Sequence, residues 1–262
     1  STDGTAERID EFANRFRGQR NIEVYHSPTN QYPGFGPMNT TLSRVRGDFI
    51  VFLAGDDFCV PERVQRLVEA RRRTGAAALS SSYVEIDEAG TEKEYVSSLA
   101  RKDRTPFTTV DQFIRHGGSS ACVGSGIAFD RRIYDEFGPL RDGPRNVDVM
   151  IPFRGALLSG TYYLDEPLVY RRIHEDNVAL SVHKKRDMSR EEEILLREKQ
   201  LSNRTANWAK ILEDFDLFRK RYPDDPRDLD GLRTDLLDRV AKVTRRWVDH
   251  RHMMMMEGIG LV

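Results

Sequence analysis

Cysteine is nearly missing. Only Cys59 and Cys122 occur among 262 residues, which excludes a disulfide framework and a cysteine-built metal cluster. Long apolar runs are missing too: the longest, Phe49 to Gly55, falls far short of the ~20 residues that a membrane-spanning helix needs. Nor is there an excess of one charge. With 41 Lys+Arg against 42 Asp+Glu the formal charge is −1, which argues against a nucleic-acid partner and the net basic face it requires. The chain opens Ser1-Thr-Asp-Gly-Thr5, with neither a starting Met nor a secretion signal, and a reducing cytoplasm is the expected compartment. What is abundant is charge of both signs, at 32% of residues, beside 39% apolar and 9% aromatic residues. Such a chain is rich in solvated helix surface and still able to fill a core.

From residue 1 to about 90 the pattern alternates helix and strand. Ile9, Phe12, Ala13 and Phe16 recur at helical spacing, and residues 21–26 read as a strand. A loop rich in Gly, Pro and Asn, 27–39, leads to a short helix ending at Gly47. Residues 48–53 are β-branched and aromatic on both faces, as in a strand buried within a parallel sheet. That run stops at Ala54-Gly55-Asp56-Asp57. Pro61 then stands where a first helical residue belongs, with Val64, Leu67 and Val68 as the apolar stripe. Residues 76–86 read as another strand, closed by a turn at 87–90. Helix and strand in alternation imply an α/β sheet with crossover connections.

Further strand-like pieces follow at 124–129, 161–164 and 168–170. Beyond 184 the texture changes. Ile194, Leu201, Trp208 and Phe215 recur every seven residues, and after a Pro-rich break at 222–226 a second stripe runs through Leu229, Leu232, Leu236, Val240, Val243 and Trp247. These read as paired helices too short of apolar surface to stand alone, docking on the preceding domain or, as a homodimer, on a second copy. The expected domains are therefore 1–182, the α/β part, and 183–262, a C-terminal helical appendage.

Three segments can carry chemistry. Asp56 and Asp57, adjacent acids at the carboxyl end of a strand, lie where α/β sheets place ligand sites and suit Mg²⁺ or Mn²⁺ bridging a diphosphate; capping the next helix is the alternative. Asp148, followed by Arg154, is a candidate general base or a helix cap. His174, after Tyr170-Arg-Arg-Ile, is a candidate ligand or an ordinary surface histidine.

Taken in order, these segments resemble the inverting family 2 glycosyltransferases. Ser1-Thr-Asp-Gly-Thr5 resembles the end of that family's Asp-Asp-Gly segment. Gly36-Pro-Met-Asn39 and Arg46-Gly-Asp-Phe-Ile-Val-Phe-Leu53 resemble the loop, helix and strand leading to its metal motif, on which Leu53-Ala-Gly-Asp56-Asp57 falls with Ala54 in place of an Asp. Phe129-Asp-Arg-Arg-Ile-Tyr134 resembles the acceptor-side segment, Asp148 with Arg154 the base segment, and Tyr170-Arg…His174…Asn177 the closing motif.

The resemblance implies a GT-A-type mixed sheet flanked by helices, lacking the strand–helix–strand that would precede Ser1. It implies transfer of a sugar from a nucleotide-diphosphate donor, UDP- or dTDP-linked, to a hydroxyl of a saccharide or lipid-linked acceptor, with inversion and with Mg²⁺ or Mn²⁺. On this reading Asp148 is the base, Asp56, Asp57 and His174 hold the metal, and Asn39, Asp57, Arg171 and Arg172 meet the donor. Gly124, Ser125 and Arg154 line the acceptor side. A cell-envelope polysaccharide role at the inner face of the membrane would fit, with the basic segments His183-Lys-Lys-Arg186 and Arg245-Arg246 turned to anionic head groups. A sugar-nucleotide nucleotidyltransferase and a non-catalytic scaffold of the same fold are the competing readings.

Overall fold

A computed structural model describes residues 3–27, 36–97, 105–116, 126–140, 147–174 and 188–259. Two compact units divide the chain, Ser1–Val45 and Arg46–Val262. The helices beyond 183 thus belong to the same unit as the sheet.

In the first unit, α1 (Thr5–Arg15) and α2 (Gly36–Arg44) are the regular elements. Phe12 and Phe16 meet at 4.8 Å between ring centroids, as the helical spacing predicts. The strand expected at 21–26 does not form. Side chains rather than ladder bonds tie this stretch: His26 Nε2 lies 2.9 Å from Asp10 Oδ1, and the Arg44 guanidinium sits 4.5 Å over the Tyr25 ring.

The second unit is built on a seven-stranded sheet of β1 (Phe49–Val51), β2 (Phe58–Cys59), β3 (Ala78–Ile86), β4 (Glu92–Val96), β5 (Phe107–Thr108), β6 (Ala128–Asp130) and β7 (Thr161–Arg172). The order is β1-β6-β3-β7-β2, with β4 added to β3 and β5 to β7. Among these pairs only β3 with β7 is parallel, in register from Ala78↔Thr161 to Ile86↔Arg172. These two long strands form the spine. Each offers its first residues to one short strand and its last to another: β3 to β6 and then β4, β7 to β5 and then β2.

Two expectations about strands change. β1 has β6 as its described ladder neighbour, antiparallel, and its three residues are half-buried rather than central in a parallel sheet. An apolar run on both faces reports that the faces are covered, and says nothing of how many strands lie alongside. The pieces at 161–164 and 168–170 are one strand, with the register shifting where Pro167 falls opposite Ser82. There Asp165 Oδ1 accepts from Ser82 Oγ (3.1 Å), the Tyr95 hydroxyl (2.7 Å) and Ser97 Oγ (2.6 Å), which ties β3, β4 and β7 across the irregularity. Burial pushes that carboxyl's pKa up, and the three hydroxyl donors outweigh it, holding the net value low.

Helices cover the sheet. α3 (Arg63–Thr74) ends on Gly75, whose φ of +68° few other residues tolerate. Its buried stripe is Arg63, Leu67 and Ala70, while Val64 is 55% exposed. The core beneath α3 joins Leu67 and Ala70 to Leu79, Ala128, Leu164 and Leu168. α4 (Val110–Arg115) and α5 (Arg132–Phe137) are short. α6 (Val147–Leu158) is buried without interruption from Met150 to Leu157. It approaches β3 so closely that a Cβ on Gly155 would stand 2.5 Å from the Cβ of Ala78. Gly155→Ala is therefore expected to cost about 1–3 kcal/mol in urea denaturation, the usual penalty of overpacking.

α7 (Arg190–Arg221) and α8 (Leu229–Met256) form the expected hairpin. Ser189 and Glu192 build a reciprocal cap at the start of α7, and Asp228 Oδ1 accepts from the Gly231 amide at the start of α8. Trp208, Ile211, Phe215 and Phe218 of α7 and Leu229, Leu236, Val243 and Met254 of α8 are buried. The hairpin docks on its own chain: Phe218 stacks with Phe137 of α5 at 6.5 Å, and Arg239 donates to the Arg115 carbonyl of α4. Of the seven-residue stripe, Trp208 and Phe215 are buried within the chain at 2% and 0% exposure, while Ile194 and Leu201 stay half-buried. No helix among the described residues is long and apolar enough to cross a membrane.

Candidate active site

The parallel pair decides where the acids fall. β3 and β7 end side by side at Ile86 and Arg172, and β2 joins β7 at that same end through Phe58↔Tyr170, whose rings stack at 4.6 Å. The loop between β1 and β2 is thereby drawn to the carboxyl end of the parallel pair, where such sheets bind ligands. It carries Asp56 and Asp57. A turn forms within it, with the Asp57 amide donating to the Ala54 carbonyl at 3.3 Å.

Chain leaving β7 then closes over this loop. The Arg172 amide donates to Asp57 Oδ1 at 3.0 Å, and its Nε donates to the Asp56 carbonyl at 3.3 Å. Arg172 Nη1 reaches the Asp87 and Glu88 carbonyls in the turn after β3, at 3.1 and 2.5 Å. This guanidinium, expected to meet phosphate, holds backbone carbonyls here and fastens the acid loop to the β3–β4 turn. His174 Nε2 lies 3.2 Å from Asp56 Oδ2. Arg171 spreads over the Tyr83 ring at 5.4 Å and touches Glu85 Oε1 at 3.5 Å.

The donor set of the acid loop can be weighed against a metal. Among the described residues no three His, Cys, Asp or Glu side chains form a metal cage, and the trio of Asp56, Asp57 and His174 is not assembled because Asp57 is turned to the Arg172 amide. Asp56 and His174 remain as a pair. One carboxylate and one imidazole, with the other positions open, suit a cation that keeps waters and takes its remaining ligands from substrate phosphates.

Asp148 lies in the first turn of α6. A helix start favours a carboxylate by ~0.3–1 kcal/mol. Burial works against it and wins: the pKa is pushed from 3.8 up to about 6, with the Arg171 charge pulling the other way. A shift of that size favours the protonated form by about 3 kcal/mol. The group thus titrates close to neutrality, as a working base should. Since only the ionised form accepts a proton, activity that depends on Asp148 should rise with pH through about 6. Stability should run the opposite way. The folded state binds more protons between 3.8 and about 6, so the group's contribution is full below 3.8 and lost as pH rises through 6. Asp148→Asn is therefore expected to melt higher than the wild type at pH 7.5, with the gap closing toward pH 4.

The remaining candidates separate. Asn39 is half-buried on α2, in the first unit. Gly124 and Ser125 lie outside the described residues. Arg154 does not line an acceptor surface. It is 1% exposed, donates through Nε and Nη2 to Asp214 of α7 at 2.7 and 3.2 Å, and gives Nη1 to the Gly138 carbonyl. Six residues on from Asp148 its side chain has turned away from the helix start into the α5–α7 interface. Sequence reasoning also missed Arg63, whose Nη2 donates to the Phe52 carbonyl at the head of the acid loop at 2.6 Å. The available signal was its spacing: residues 63, 67 and 70 share one helix face.

Comparison with known proteins adds the family. The family model described as glycosyl transferase family 2 matches residues 1–138. The chain has no sequence match among curated proteins. In fold it is similar to S. aureus TarS 1–349 in complex with UDP-GlcNAc, at 16% identity and a TM-score of 0.56, over 91% of this chain and 60% of that one. It is similar also to the S. aureus TarS 1–349 crystal structure, at 14% identity and a TM-score of 0.52, over 95% and 80%. The UDP complex of the same TarS segment gives 14% and 0.51. The chain spans less than two thirds of the length of the first of these structures. At such identities the likeness is one of fold, and it bears out the expected GT-A-type α/β architecture with helices after the sheet. With the family model matched over more than half of its length, the chain belongs to glycosyl transferase family 2.

Proposed function

We propose that this chain transfers a sugar from a nucleoside-diphosphate donor to an acceptor hydroxyl, with inversion at the anomeric carbon. The observation that carries the reading is the grouping at the carboxyl end of β3 and β7: Asp56 beside His174, and Asp57 locked by Arg172. Asp148, its pKa raised to about 6, feels the charge of Arg171 from the same strand end. The UDP-GlcNAc and UDP complexes of TarS favour a UDP-linked donor.

Asp56 and His174 would hold Mg²⁺ or Mn²⁺, which when bound offsets the charge that gathers on the departing diphosphate. Asp57, pinned by the Arg172 amide, fixes the shape of the loop that presents Asp56. Asp148 takes the proton of the acceptor hydroxyl as its oxygen bonds to the anomeric carbon. The bond from that carbon to the phosphate oxygen breaks, and its electron pair leaves with the nucleoside diphosphate. One displacement inverts the centre and needs no carboxylate nucleophile. A saccharide or lipid-linked acceptor met at the inner face of the membrane, in building a cell-envelope polysaccharide, fits this chemistry.

The test is to incubate the chain with UDP- and dTDP-sugars and a saccharide acceptor panel, with Mn²⁺, Mg²⁺ or EDTA, and to follow nucleoside-diphosphate release. Release from a UDP-sugar that EDTA abolishes, with an inverted product by proton NMR, is expected. No release from any donor under any metal condition would contradict the proposal.

A further inference from the structure

We propose that Arg63 is a positioning residue for the donor site: from the head of α3 it fixes the origin of the loop carrying Asp56 and Asp57. The inference rests on the reading of that loop as the donor site. Four of the loop's hydrogen bonds fasten its two ends. The Phe52 amide donates to the Ile127 carbonyl at 3.0 Å, and Arg63 Nη2 donates to the Phe52 carbonyl at 2.6 Å. Arg172 holds the far end twice, at the Asp56 carbonyl and the Asp57 carboxylate. The acid loop is thus tied by two arginines, one at its start and one at its end.

The placement of Arg63 is costly and selective. Its side chain is 1% exposed, whereas its neighbour Val64 is 55% exposed. A rotation of α3 by one residue would bury the valine and release the charge, which burial alone would favour, since an uncompensated buried ion costs several kcal/mol. The chain does the reverse. Burial pulls the guanidinium's pKa down, while a hydrogen bond to the Cys59 sulfur and the nearby Asp57 charge oppose that pull. The guanidinium donates to the residue before the acid loop, Phe52, and its charge is favoured by Cys59 and Asp57 on the far side of that loop. A planar group with several fixed donors can aim such a bond; an ammonium is a point donor.

The experiment compares wild type with Arg63→Lys and Arg63→Met, using Arg66→Met as a control. Arg66 lies on the exposed side of the same helix, paired with Glu166 at 2.7 and 2.8 Å, away from the acid loop. Each chain is checked for folding by near-UV circular dichroism. UDP affinity is then measured by calorimetry with and without Mn²⁺, and amide hydrogen exchange is followed by mass spectrometry. Arg63→Met should weaken Mn²⁺-dependent UDP binding tenfold or more and Arg63→Lys several-fold, each with faster exchange confined to residues 53–57. Arg66→Met should leave both readouts at wild-type values. A folded Arg63→Lys or Arg63→Met chain with wild-type affinity and wild-type exchange at 53–57 overturns the inference while leaving the donor site intact. A wild-type chain that binds no UDP, with or without Mn²⁺, overturns the donor-site reading and this one together.

Discussion

Asp214→Leu is expected to destabilise the chain by about 3–5 kcal/mol in urea denaturation, the cost of leaving a buried charge without its partner. The partner is Arg154. Both side chains are 2% exposed, and the two bonds between them, at 2.7 and 3.2 Å, have the fork geometry that a guanidinium offers a carboxylate. Arg154 also lies 5.3 Å over the Phe137 ring, so its loss would loosen α5, α6 and α7 together. Against a total stability of typically 5–15 kcal/mol, a loss of that size brings the fold near its threshold. The double variant Arg154→Met/Asp214→Leu should recover most of it, because exchanging both charges for apolar groups removes the desolvation cost as well. By contrast, breaking the exposed Arg66–Glu166 pair should leave stability close to wild type. A cost below ~1 kcal/mol for Asp214→Leu would show that the helical hairpin is not held by this pair.

Asp148→Asn is expected to lower turnover by about 10²-fold or more while leaving donor affinity close to wild type. The amide keeps the size of the carboxyl and cannot accept a proton at neutral pH. The residual rate should also lose the acid limb near pH 6, since the group that titrates there is gone. Retained turnover, or an unchanged limb, would remove Asp148 from the role of base. The same substitution should raise stability at pH 7.5, and the two effects together separate a working carboxyl from a merely structural one: a helix cap replaced by Asn would lose little of either.

The acids and the histidine were legible because order along the chain carried them. Asp56, Asp57, Asp148 and His174 each sit at the end or start of an element that apolar patterning marks clearly. Arg154 was misread for a physical reason. An arginine six residues after a candidate base reads as facing the acceptor until a carboxylate 60 residues later, on a helix whose polar positions seem to face water, is found against it. Asp214 falls between Ile211 and Phe215, and periodicity cannot tell a buried polar pair from an exposed one. β1 was misplaced because face burial and ladder position are different quantities. The carbonyl partners of Arg172 were not legible at all, because no sequence pattern announces a bond to backbone.

The division of labour between Asp56 and Asp148 is tested most directly by one measurement, the Mn²⁺-dependent affinity for a UDP-sugar in the wild type, Asp56→Asn and Asp148→Asn, by calorimetry at pH 7.5. Asp56 faces His174 at 3.2 Å and would share the cation and its phosphates, so Asp56→Asn should weaken binding tenfold or more. Asp148→Asn should bind within about twofold of wild type, because its proton is exchanged with the acceptor and not with the donor. Equal loss of donor affinity in both variants would contradict this assignment and leave Asp148 without a role as a dedicated base.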